Sequence, residues 1–186
     1  TRQLHQLFIR GADYPVDHVS IGGGTPSGFG GKRLAARLKT LKKRVRLDHY
    51  AEITVEVNPE SVDKPLLLAL KKAGVNRISM GVQSADDGQL RRIGRIHDFA
   101  AAQRAAELIR QYCTENLSVD LMFGLPGQEL ESCLRSVDAL CARQPRHISC
   151  YALKLEEGTP LFLENPPRAD DDLQADMYLA LTRRLE

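Results

Sequence analysis

The 186-residue chain contains no run of 18 apolar residues, so nothing in it predicts a membrane span. Its opening, TRQLHQLFIRG, lacks the continuous apolar stretch and small-residue cleavage site of a secretion signal. It reads as the middle of a helix. ADMYLALTRRLE at the other end also stops within a helical pattern, so the chain is expected to be a piece of a longer protein. Clustered cysteines are missing too. Cys133 and Cys141, the nearest pair, stand eight positions apart, and Cys113 and Cys150 lie further off. That spacing excludes CxxC and CxxxCxxC ligand sets, and with them a structural zinc or iron–sulfur site. Reduced thiols in a cytoplasmic protein are expected instead.

An excess of one charge sign is also lacking: the net charge is +2. Positive charge is local, with Lys32, Arg33, Arg37, Lys39, Lys42, Lys43, Arg44 and Arg46 crowded into one helical segment. No aromatic residue interleaves with them, and Leu34, Leu38, Leu41 and Val45 form an apolar stripe. The segment therefore reads as a solvated helix face, and no nucleic-acid partner is expected. Hydrophobic content of 42% and charged content of 27% suit a globular domain with a sizeable core. Repeats and linkers are absent, so residues 1–186 are read as one domain.

What the chain does have is IGGGTPS at residues 21–27, closing a short apolar run and opening a loop ahead of the basic helix. Three successive glycines let backbone approach a ligand closely and tolerate φ > 0. Strand-like segments at 17–22, 51–57, 77–83, 117–123 and 147–155 alternate with helix-like ones at 2–10, 31–46, 63–73, 87–93, 99–112, 129–143 and 170–185. Such alternation predicts an α/β fold with a parallel sheet built of βαβ units.

Each strand also alternates internally. Ile53, Val55 and Val57 oppose Thr54, Glu56 and Asn58; Leu117, Val119 and Leu121 oppose Ser118, Asp120 and Met122. A doubly covered parallel sheet would be apolar on both faces. One apolar and one small, polar face predicts an open barrel whose inner face is a ligand cavity. An antiparallel sheet with one solvated face is the other reading; helix-length connections and missing hairpin signals count against it.

Ligands of α/β barrels sit at strand carboxyl ends. Those ends carry Gly23, Gly24 and Thr25; Glu56 and Asn58; Gln83 and Ser84; Asp120; Ala152 and Lys154. Glu56 and Asp120 are carboxylates inside apolar runs and need partners. Those are either a ligand's hydroxyl or ammonium groups or barrel arginines such as Arg77 and Arg95.

IGGGTPS, EITVEVNPE, GVNRISMGVQS, IGRIH, VDLMFGLPGQ and YALKLEEGTP, in that order, resemble the radical S-adenosylmethionine (SAM) proteins related to oxygen-independent coproporphyrinogen III oxidase, over residues 17–186. The resemblance implies a partial (β/α)6 TIM-like barrel. It implies SAM on a 4Fe–4S cluster, cleaved reductively to a 5′-deoxyadenosyl radical. It also implies an electron donor such as flavodoxin or ferredoxin, and a porphyrin or haem as the second small molecule. By motif match, Gly23 and Gly24 would receive the methionine amino end, with Thr25 beside them. Glu56 and Gln83 would bond ribose or amino groups. Arg95 would meet the SAM carboxylate, and Asp120 and Ala152 would border the ribose and adenine.

The family's CxxxCxxC loop has no match here and is expected upstream of Thr1. The chain alone is therefore expected neither to hold the cluster nor to cleave SAM. Ser84 after GVQ, IGRIH and the LEEGTP stretch resemble the haem-chaperone (HemW) branch. The oxidase branch more often has an acidic residue after GVQ. The alternatives are an oxidase acting on porphyrinogen propionates and a cofactor-free barrel fragment.

Overall fold

The computed structural model describes residues 15–23, 28 and 30–186. Along the chain run β1 (Val16–Ile21), α1 (Gly31–Lys42), β2 (Leu47–Val57), a 3-10 turn (Pro59–Ser61), α2 (Lys64–Lys72) and β3 (Arg77–Gln83). Then come α3 (Asp87–Arg92), α4 (Phe99–Tyr112), β4 (Leu117–Phe123), α5 (Leu130–Cys141), β5 (His147–Ala152), α6 (Pro160–Leu163) and α7 (Asp171–Leu185). All four neighbouring strand pairs are parallel and the order is sequential, β1-β2-β3-β4-β5. The sheet curls into a half-barrel, as the open parallel barrel predicted.

Local chemistry starts the helices. Asp63, Asp86, Asp98 and Asp170 each accept a bond from a first-turn backbone N–H at 2.7–3.0 Å. Aspartate caps satisfy donors that a helix start leaves without partners. The apolar strand positions then meet the helices. Val55, Ile78 and Leu121 are fully buried, as are Leu67 and Leu70 of α2, Ile109 of α4 and Val137 of α5. Each such side chain contributes about 1.5–3 kcal/mol. Ala102, Ala105 and Ala106 are buried on one face of α4, which sits close to the sheet.

Three boundaries differ from the sequence reading by three residues or more. The segment read as helix 31–46 ends at Lys42, because Arg46 already offers its carbonyl to the Val16 N–H and so begins the sheet. Strand β2 starts at Leu47 rather than 51, since Leu47 pairs with Val16 across a register shift. Strand β5 ends at Ala152 rather than 155, because its partner β4 turns away at Gly124. The short α6 had no periodic signal. The helix expected at 2–10 lies outside the described residues.

Candidate functional site

The carboxyl end of β1 is built against the second strand. The Gly23 N–H donates to Glu56 Oε2 at 3.1 Å. A Cβ on Gly22 would fall 2.6 Å from the same oxygen, so only glycine lets the turn close on this carboxylate. Gly23 itself has φ 91°, in the left-handed region. Gly24 and Thr25 lie outside the described residues.

Strand β3 ends on an unusual backbone. Gln83 is buried and non-glycine, yet has φ 73°. Left-handed backbone of this kind is uncommon and concentrates at functional sites. The register shift between Gly81 and Gln83 accompanies it. The twist folds the Gln83 amide back over Gly81, where an added Cβ would lie 2.8 Å from Nε2 and 3.3 Å from Asn58 Oδ1. Arg95 reaches Asn58 Oδ1 at 3.5 Å, a long contact that brings the guanidinium to this strand end. His97 fixes the loop that carries Arg95. Its ring is buried, with Nε2 3.3 Å from the Val82 carbonyl and Nδ1 3.1 Å from Glu60 Oε2.

Asp120 lies opposite Gly81 on one side and Ser149 on the other. It accepts from Ser79 Oγ at 3.3 Å. Burial pushes its carboxyl above the usual carboxylate range, and nearby Glu56 adds to this; bonds from Ser79 and Ser149 and the neighbouring His147 oppose it. Neither Glu56 nor Asp120 pairs with an arginine among the described residues. Arg77 bonds Glu52 at 3.0 Å instead. The choice that the sequence left open thus falls against barrel arginines.

Arg77 belongs to a belt across the polar face below the site. His18 meets Glu52 at 3.3 Å, Glu52 meets Arg77, Arg77 reaches Ser118 at 3.4 Å, and Ser118 bonds His147 at 2.9 Å. All five strands contribute one member. These charges close on one another, which leaves Glu56 and Asp120 above them as the carboxylates still able to serve a ligand. Ala152 stands apart. It occupies the last position of β5 on the side of Ile148 and Cys150, so only its backbone can border the pocket.

Because the folded state raises the Asp120 pKa, it holds that proton more tightly than the unfolded chain. Between the ordinary carboxylate value of 3.8 and the raised one, stability falls as pH rises. Asp120→Asn should therefore melt higher than the parent at pH 7 and show a flatter dependence of Tm on acid pH. A lower Tm at pH 7 would contradict the burial argument.

Ser84, just past β3, is the hub of a second polar cluster. It is fully buried, donates to Gln89 Oε1 at 2.8 Å, accepts from the Asp86 N–H at 3.0 Å and sits 3.3 Å from Ser136 Oγ. Gln128 donates to the same Gln89 oxygen, and Gln89 donates to Ser132. The sequence marks Ser84 at its strand end but not Glu60 or the partners Gln89, Gln128, Ser132 and Ser136, since isolated polar residues on helices and loops carry no periodic signal.

Among the described residues, no group of three His, Cys, Asp or Glu side chains could hold a metal ion, and no helix is long and apolar enough to cross a membrane. The chain matches the family model of the radical SAM superfamily over residues 1–140. It is similar to the heme chaperone HemW of Haemophilus influenzae, 39% identical over 171 residues, covering 92% of this chain and 41% of that protein. It is also similar to the mouse (Mus musculus) protein called radical S-adenosyl methionine domain-containing protein 1, mitochondrial, 41% identical over 88% of this chain and 38% of that one. Among solved structures, coproporphyrinogen III oxidase (HemN) from Escherichia coli superposes with a TM-score of 0.82 over 98% of this chain and 45% of that one, at 23% identity. The chain thus spans about two-fifths of the length of these sequence relatives. Its parallel half-barrel, the glycine turn closed on a β2 carboxylate and the matched family model agree: this chain belongs to the radical SAM superfamily.

Proposed function

We propose that the strand-end pocket binds SAM and that the protein carrying it is a HemW-like haem chaperone. The observation that carries the SAM reading is the junction of Gly22, Gly23 and Glu56 facing Asp120, two carboxylates without a cation partner among the described residues. The residues fit the molecule. Acceptors at Glu56 and Asp120 suit an ammonium group and ribose hydroxyls, the Gln83 amide suits a further hydroxyl, and the half-buried Arg95 suits a carboxylate. SAM supplies one-electron chemistry when bound to a 4Fe–4S cluster. The residues described here contribute binding and orientation. Glu56 holds the glycine turn in place, and His97 holds the Arg95 loop against β3 and the 3-10 turn.

Haem or a porphyrin as the second ligand is supported by the similarity to proteins called heme chaperones. Likeness to the oxidase structure at 23% identity bears on the fold alone. A one-electron donor such as flavodoxin or ferredoxin would serve the cluster. Arg95→Ala should weaken SAM binding about tenfold or more in calorimetry, because a charge-assisted bond contributes about 1.5–3 kcal/mol. An unchanged Kd would remove Arg95 from the site. Titration of the intact protein with haemin, followed by absorbance, should show stoichiometric binding. Conversion of a porphyrinogen without haem binding would favour the oxidase instead.

A further inference from the structure

On the outside of the half-barrel, away from the strand ends, α1 and α2 leave a groove of about 630 Å³ between them. Its floor is small: Ala35 and Ala36 from α1, Ala69 and Ala73 from α2. Its rim is lysine: Lys32, Lys39 and Lys43 on one side and Lys72 on the other. These four make no ion pair among the described residues, and no carboxylate lines the groove. Lys42 is engaged differently, donating to the Ala73 carbonyl at the end of α2.

The charges at the start of α1 work against the helix that carries them, whereas Lys39 in its last turn suits the dipole. α1 begins at Gly30 with no side-chain cap, and its first turn holds Lys32 and Arg33 but no acid. Cations there face the positive end of the helix dipole. Lys39 and Lys43 stand one turn apart, a like-charge spacing that destabilises a helix. Helices α2, α3, α4 and α7 each start on a capping aspartate. Helix stability therefore does not explain the cations at the start of α1.

We propose that this groove docks an acidic α-helix of a partner protein. The alanine floor admits the close approach of a third helix, and the lysine rim matches carboxylates spaced one turn apart. Residues 32–43 span about 18 Å, so three to four turns of partner would be covered. Single-stranded nucleic acid is a poorer match because no aromatic ring lines the groove for stacking. A lipid surface is poorer too, because the floor offers alanines and no large apolar side chain to insert.

The test is fluorescence anisotropy on the intact protein with a labelled, helical 18-residue peptide of alanine with glutamate at every fourth position. An 18-nucleotide single strand and phosphatidylserine vesicles serve as competing probes. The peptide is expected to bind, and to bind at least about tenfold more weakly when monovalent salt rises from about 50 to about 300 mM. K39E/K43E should weaken it at least tenfold, and Lys39→Gln with Lys43→Gln several-fold. Ala36→Phe, on an exposed floor position, keeps every charge and fills the groove; it should weaken binding about fivefold or more. Lys32→Glu should raise Tm by about 2 °C, by relief at the dipole. The proposal is overturned if Ala36→Phe leaves peptide binding unchanged, if the peptide does not bind, or if the oligonucleotide or vesicles bind more tightly than the peptide.

Discussion

Gly22→Ala is expected to weaken SAM binding roughly a hundredfold while leaving the fold intact. The new methyl group would fall 2.6 Å from Glu56 Oε2, well inside contact distance, and so the carboxylate must swing away. Gly23 N–H then loses its acceptor, and the ligand loses a carboxylate held near Asp120. Losing a charge-assisted bond and its preorganisation costs about 3 kcal/mol, or roughly two decades in Kd. Gly22 and Gly23 are exposed, so thermal unfolding should barely change. Glu56→Gln provides the contrast: its amide oxygen can still accept from Gly23, so the turn stays closed and the loss is smaller. If calorimetry gave Gly22→Ala the parent's affinity, the strand-end pocket would not be the SAM site.

The second large effect is on stability. Ser84→Glu should lower Tm by about 10 °C, because an unpaired carboxylate in this closed cluster costs several kcal/mol and a chain of this size loses about 2–4 °C per kcal/mol. Ser84 has no exposed surface, and its hydroxyl already uses its donor and both acceptor sites. Gln89 and Gln128 would have to break their mutual bond to answer the charge. Ser84→Ala, which removes the hydroxyl without adding charge, should cost about 1–3 kcal/mol through the orphaned Asp86 N–H and Ser136 hydroxyl. An acid needs a different surrounding cluster, and this chain is built around a hydroxyl. A Ser84→Glu protein that melted with the parent would show that the cluster can open to water.

Much of the fold was legible before any coordinates. Strands β3 and β4 run over the residues that alternation marked, since period-two patterning is local and both faces of each strand speak at once. Helix starts were legible where aspartate precedes the run, as at Asp63 and Asp170. Strand ends were less so. Leu47 joins β2 only because Val16 offers it a partner, and residues 153–155 leave β5 only because β4 turns at Gly124. Those decisions belong to the neighbouring strand.

The candidate site divides in the same way. Sequence by itself marked residue types for the strand ends, Gly22, Gly23, Glu56, Gln83 and Asp120 among them, while Arg95 entered through the family resemblance. It also determined that one sheet face is polar, because side-chain direction follows from position parity alone. Only the tertiary structure decided who answers whom. Parallel register sends Arg77 to Glu52 and away from Glu56 and Asp120, and sets Ser79 and Ser149 beside Asp120. Strand register also puts Ala152 on the helix side of the sheet. Pairing across strands depends on curl and register, which arise from the packing of all five strands together, and no single segment encodes them.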